Sequence, residues 1–138
     1  MLRQVSSMMQ KVVHALPPTA SAYDAARKMK ENSCACVVVA GKHGLAGIFT
    51  AGDLVKRVAA EKRDPAKTRL SDVMTSELQT VAPDTLAIDA LRAMHDGHFR
   101  HLPVIEEGRL VGIISRRDFF GQEETLVEDE DHISEVMR

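Results

Sequence analysis

A chain of 138 residues, 44% of them hydrophobic, has the size and apolar content of one ordinary domain with a sizeable core. Its formal net charge of −2, with 28% charged residues of both signs, supplies no basic field for nucleic acid or for an acidic membrane surface. No apolar run approaches the roughly 20 residues of a membrane helix, and the N-terminus lacks the basic-then-apolar order of a signal peptide, so the expected location is the cytoplasm.

In chain order, Val5 to Met9 reads as a short lead-in and Val12 to Leu16 as a strand. It stops at Pro17-Pro18, because proline continues neither a helix interior nor a central ladder. A helix follows: Thr19 or Ser21 can cap it, Asp24 lies in its first turn where negative charge suits the helix dipole, and Ala22, Ala25, Ala26 and Met29 share one face. Cys34 to Ala40 and Leu45 to Phe49 then read as a hairpin around Gly41-Lys42-His43-Gly44. Thr50 is placed to cap a helix from Ala51 to about Glu61. The polar stretch 62–69, with Pro65, reads as a linker.

The second half repeats this order. Leu70 to Met74 is a lead-in, Leu78 to Val81 a strand, and Ala87, Ala90, Leu91 and Met94 the apolar stripe of a helix. His101 to Ile105 and Leu110 to Ile114 form a second hairpin, and Ser115 caps a last helix. Beyond Gln122 the chain is acidic, with Glu128-Asp129-Glu130-Asp131, and 133–137 echoes 70–74. The duplication is also visible residue by residue. Gly47-Ile48-Phe49-Thr50-Ala51-Gly52-Asp53-Leu54 recurs as Gly112-Ile113-Ile114-Ser115-Arg116-Arg117-Asp118-Phe119, an offset of 65 that also pairs Ser6 with Ser71, Met9 with Met74, Pro18 with Pro83 and Met29 with Met94. Such repeats are structural units that bury their apolar faces against a neighbour.

Lead-in, strand, helix, hairpin and helix, with Thr-x-x-Asp or Ser-x-x-Asp after a Gly-Ile strand and with His101-Leu102-Pro103-Val104-Ile105, resembles the cystathionine-β-synthase (CBS) domain. The tandem resembles a Bateman module over nearly the whole chain. The resemblance implies an α/β (α+β) fold of two pseudo-symmetric repeats, each a small mostly antiparallel sheet with two helices, packed sheet to sheet and leaving two clefts. The repeats are expected over 1–61 and 70–122, joined by a linker at 62–69 and followed by an acidic tail at 123–138, with 1–122 forming one module. In this family such clefts commonly bind adenine nucleotides.

The residues bear on that implication by their own chemistry. Asp53 and Asp118, one turn into their helices, can accept both hydroxyls of a ribose, and Thr50 and Ser115 leave hydroxyls and helix N-terminal N–H groups for phosphate. The same four residues also suit plain helix capping and dipole compensation, and both readings stay open. Cations are one-sided: His98, Arg100, His101, Arg116 and Arg117 in the second repeat face Ser33, Ala35, Cys36, Ala51 and Gly52 in the first. Arginine suits phosphate through its planar fork. By analogy with similar modules, Arg100 and His101 would serve the phosphate of a nucleotide whose ribose sits on Asp53, Arg116 and Arg117 would surround the Asp118 site, and Gly52 leaves the Asp53 site weaker or empty.

Cys34 and Cys36 are too close for an ordinary disulfide framework and read as buried structural thiols. A thiol or metal sensor would need at least three convergent ligands that the sequence does not assemble, so no metal or cofactor is expected. No GxxxxGK[ST] loop, HExxH or nucleophile signature occurs, so no catalytic residue and no enzyme activity are expected. The expected role is a regulatory sensor of AMP, ADP or ATP, forming a homodimer and acting on a separate partner protein. The alternatives are a ligand-free dimerisation or docking module, or a binder of S-adenosylmethionine or NAD.

Overall fold

The duplicated sequence folds into duplicated local structure, but each repeat begins inside the other's unit. The computed structural model describes residues 2–119. The first unit is Val12–Leu78, and the second consists, among the described residues, of 79–119 together with 2–11. The expected acidic tail, its echo at 133–137 and the chain beyond Phe119 lie outside the described residues.

In the first unit β1 (Ala15–Leu16) leads to α1 (Ala22–Asn32), β2 (Cys36–Gly41) and β3 (Gly44–Thr50). Helix α2 (Ala51–Asp53) continues as a π-helical stretch, Leu54–Ala59, and α3 (Leu70–Val73) closes the unit. Ser21 caps α1 by the reciprocal device in which its hydroxyl accepts from the Asp24 N–H and the Asp24 carboxylate accepts from the Ser21 N–H. The sheet order is β1-β2-β3, with β1 parallel and β3 antiparallel to β2. Its core joins Ala22, Ala25 and Met29 of the helix stripe to Val37, Val39, Phe49 and Val58, and to Leu70 and Val73 from the start of the second repeat.

The second unit holds α4 (Ala87–Gly97), β4 (His101–Glu106) and β5 (Arg109–Ser115), followed by a 3₁₀ turn at Arg116–Asp118. Glu107 and Gly108 both have positive φ, as a tight two-residue hairpin turn matching the strand twist requires. Ala87, Ala90, Leu91 and Met94 pack with Leu102, Val104, Ile114 and Phe119, and with Val5 from the first lead-in.

Both lead-ins dock through the same backbone bonds. Leu70 and Ser71 donate to the Ala20 and Pro18 carbonyls at 2.8 and 3.1 Å, and Val5 and Ser6 donate to those of Thr85 and Pro83 at 2.8 and 2.9 Å. Just beyond, Thr75 exchanges two backbone bonds with Ile48, as Gln10 does with Ile113. At these crossings a Cβ on Gly47 would stand 2.6 Å from the Thr75 oxygen, and one on Gly112 would stand 2.9 Å from the Gln10 oxygen and 2.7 Å from Met9 Sδ. The recurring glycines are therefore required for close backbone approach.

Two expectations are corrected. The strand expected over Leu78 to Val81 is an isolated parallel bridge, Val81 to Val104. In the first unit the Val38 N–H donates to the His14 carbonyl at 2.8 Å, but the matching residue of β4 is Pro103, which has no N–H, so that rung is missing. The expected strand from Val12 shrinks to Ala15–Leu16, and Val12 is 74% exposed.

Gly112→Ala should cost about 1–3 kcal/mol by overpacking against backbone, read as a Tm fall of order 5–10 °C. Gly52→Ala, whose Cβ would meet only Thr50 Oγ1 at 3.5 Å, should leave Tm unchanged or raised. Equal effects in calorimetry would overturn the assignment of Gly112 to the crossing.

Candidate functional site

Each hairpin ends on a hydroxyl residue that caps the turn after it, which fixes an aspartate at the exit of the sheet. In the first unit Thr50 and Asp53 form a reciprocal capping box: Asp53 N–H donates to Thr50 Oγ1 at 3.1 Å, and Thr50 N–H donates to Asp53 Oδ2 at 3.0 Å. In the second unit the Ser115 N–H donates to Asp118 Oδ2 at 2.8 Å. The capping reading of all four residues is thus realised, and it holds each carboxylate in a defined orientation.

A further side chain reaches each carboxylate from the segment after the crossing. Gln10 Nε2 donates to Asp118 Oδ1 at 3.2 Å, and Thr75 Oγ1 lies 3.4 Å from both oxygens of Asp53. Gln10 and Thr75 are 65 residues apart and occupy the same place in their repeats. A search for recurring identities misses them because they are different amino acids, although both are polar and both follow a methionine. Arg57 was also missed: its Nε lies 3.6 Å from Asp53 Oδ1 and its Nη1 donates to the Met74 carbonyl at 2.9 Å. Its i, i+4 spacing from Asp53 was the available signal.

The six remaining expected residues gather in the second unit. His101 is paired across the hairpin with Ser115, and the Arg116 N–H donates to the Arg100 carbonyl at 2.9 Å, so Arg100, His101, Ser115, Arg116, Arg117 and Asp118 form one cluster. Arg100 and Arg117 are exposed, whereas Ser115 is buried. Burial is the main force holding the His101 imidazole below its ordinary pKa; Arg117 lowers it further, Asp118 opposes this, and Arg100 adds to the lowering. The cationic field at His101 is therefore only partly offset by the carboxylate. Thr50 and Asp53 lie together in the first unit.

Where the second unit has His101, the first has Cys36, paired with Thr50. Burial first, then Cys34 and Asp53, push the Cys36 thiol up to about 12, which leaves it protonated at neutral pH and poor as a nucleophile or metal ligand. Among the described residues no group of three or more His, Cys, Asp or Glu is gathered that could hold a metal ion. Among them, too, no helix is long and apolar enough to cross a membrane.

The CBS domain family model matches residues 5–60 and 70–122, once over each copy of the repeat. The chain belongs to the CBS domain family. The CBS domain-containing protein CBSCBSPB1 of Arabidopsis thaliana is 40% identical over 98 residues, covering 70% of this chain and 18% of its own. A 17.7 kDa protein of Acidianus ambivalens is 37% identical over 120 residues, covering 86% and 71%. The chain spans 17–49% of the length of the first Arabidopsis relatives it matches. Among solved structures, a protein with CBS domains from Burkholderia ambifaria MC40-6 has a TM-score of 0.81 at 26% identity, covering 84% of this chain and 90% of that one. The CBS-CP12 protein of bloom-forming cyanobacteria has a TM-score of 0.83 at 29% identity, covering 91% and 71%. Tandem CBS domains are typically regulatory ligand-binding modules.

The His101 environment sets a pH dependence. Its folded pKa lies below the ordinary 6.5, so the unfolded chain takes up the proton first as pH falls. The stability contributed by neutral His101 is present above about pH 6.5 and lost as pH drops below it. Urea denaturation at pH 7.5 and 5.5 should show a smaller acid-side loss for His101→Asn than for the parent; identical losses would refute this.

Proposed function

We propose that this CBS pair is a regulatory module that binds an adenine nucleotide, AMP, ADP or ATP, and passes its occupancy to a separate partner protein in the cytoplasm. The observation that carries the proposal is the second unit's cluster: an oriented Asp118 carboxylate for ribose hydroxyls beside Arg100, Arg116 and Arg117, whose positive field is only partly offset at His101. A ligand that matches it carries a diol and a phosphate together, and binding rather than reaction is what these groups support. A phosphate there would favour the imidazolium and raise the His101 pKa.

A second reading, an unliganded dimerisation or docking module, has its own support, because both carboxylates are already satisfied by capping bonds and by Gln10 or Thr75. Association fits either reading. The cyanobacterial CBS-CP12 protein is hexameric, and Tyr23 and Val55 leave 50% and 61% of their surface exposed. A closed C2 homodimer is the proposed state, since it is the commonest symmetric assembly.

The deciding experiment uses Asp24 as a matched control, because it sits in the same kind of capping box, on a helix that carries none of the expected site residues. At a hundredfold excess over its Kd, the preferred member of an AMP, ADP, ATP, S-adenosylmethionine and NAD panel should stabilise the fold by about 2.7 kcal/mol, on the order of 10 °C in Tm. Asp118→Asn keeps a capping oxygen but removes the charge, and should weaken binding at least about tenfold; Asp24→Asn should not weaken it. Titrating His101 by NMR should show its pKa rise when nucleotide is added. Binding that survives Asp118→Asn unchanged would exclude the ribose assignment, and no binding across the panel would favour the unliganded reading.

A further inference from the structure

The two aspartates are not held alike. Asp118 receives neutral donors, the Ser115 N–H and Gln10 Nε2, whereas Asp53 also faces a guanidinium. Arg57 lies on the π-helical stretch one turn beyond Asp53, where the i, i+4 spacing brings its Nε to 3.6 Å from Oδ1. The side chain is not a loose surface arginine, because Nη1 also reaches the Met74 carbonyl at 2.9 Å and the Val73 carbonyl at 3.4 Å at the end of α3. With Thr75 Oγ1 closing from another side, the Asp53 side chain is 13% exposed while Arg57 is 49% exposed. The arginine and threonine thus cover the carboxylate. At the matching place in the second repeat the sequence has Gln122, which carries no charge.

We propose that Arg57 is a built-in occupant of the Asp53 carboxylate: it takes the place a ligand's hydroxyls would need and makes the first unit a conditional site, open only when Arg57 swings away. The inference rests on the nucleotide reading above and deepens it by naming the residue that ranks the two units. Asp53 Oδ2 is committed to the Thr50 N–H, so a diol must use Oδ1 and the remaining lone pairs, which are the ones facing Arg57 and Thr75. A half-exposed ion pair is worth little and can be displaced, so the site is weakened rather than abolished. Gly52, beside Asp53, brings no second cation to compensate, whereas Arg117 stands beside Asp118.

The test titrates the 138-residue chain with AMP and with ATP by calorimetry, in the parent and in an Asp118→Asn background that reports the Asp53 site alone. Arg57→Gln keeps a hydrogen-bond donor but removes the charge, and in that background it should tighten nucleotide binding by roughly two- to fivefold, the factor equivalent to one displaced exposed ion pair. Arg57→Lys keeps the charge but loses the fork to the Val73 and Met74 carbonyls, and should tighten binding to a smaller degree; it decides the question if Arg57→Gln does not fold. Nucleotide binding that Arg57→Gln leaves unchanged, or weakens because Arg57 itself holds the phosphate, overturns the occupant role and leaves the nucleotide reading standing. Failure of every chain, parent included, to bind either nucleotide overturns both.

Discussion

The structure depends on two backbone crossings at which one chain segment presses against a glycine of the other repeat. Thr75 lies over Gly47 and Gln10 over Gly112, at distances that leave no room for a Cβ. Once these crossings form, each core is completed by apolar residues from the other repeat: Leu70 and Val73 in one, Val5 in the other. Neither repeat has its full core without the other's first segment. That accounts for a recurrence at a fixed offset which extends to residues far from any aspartate. Pro18 and Pro83 present the carbonyls that the lead-ins dock on, Ser6 and Ser71 supply N–H donors, and Met9 and Met74 pack at the glycines.

On this common frame the two units diverge at a few side chains with large electrostatic consequences. The pair Cys36 and Thr50 in one becomes His101 and Ser115 in the other, and Ala51-Gly52 becomes Arg116-Arg117. The first unit therefore has a half-buried neutral thiol, where a buried one was expected, next to a carboxylate paired with Arg57, and the second has an imidazole under an arginine field. Pro103 adds a mechanical difference, because the second unit lacks the counterpart of the rung that ties Val38 to His14 in the first. Duplication kept the backbone and freed the site residues to differ, as expected when packing constrains the frame more tightly than charge constrains its surface.

Much of this was legible in the sequence, wherever the signal was local. The α1 and α4 stripes, both hairpins, the capping residues and the repeat offset follow from side-chain period and turn chemistry, and the CBS family follows from their order. What was not legible depends on residues distant in the chain. Gly47 and Gly112 stood out as a pattern, yet the reason for them is a carbonyl from the other repeat. Pro103 was visible as a motif residue, but its missing N–H matters only once the strand beside it is known. Gln10, Thr75 and Arg57 escaped because the first two differ between copies and the third has no charged counterpart, so a search for recurring identities gives them no weight.

The position of Gln10 and Thr75 bears on the proposed ligand binding. Each follows directly on a crossing, and each precedes by a few residues the point where the chain passes from one compact unit to the next, between Lys11 and Val12 or between Leu78 and Gln79. A ligand that claims the carboxylate of Asp53 or Asp118 must compete with the side chain of Thr75 or Gln10 for the same lone pairs. Occupancy by the proposed ligand would thereby be linked to the Thr75 or Gln10 segment through a hydrogen bond that is either made or lost. The size of any response is bounded by the ligand's difference in affinity between the two arrangements, not by its affinity alone. The Gln10 bond to the Asp118 carboxylate has a charged acceptor and is worth about 1.5–3 kcal/mol, which shifts an equilibrium by roughly 10- to 150-fold. Moving a two-state equilibrium from 1:99 to 99:1 takes about 5.5 kcal/mol, so a graded change in population is the response these contacts can generate, and the half-exposed Arg57 pair adds too little to turn it into an all-or-none switch.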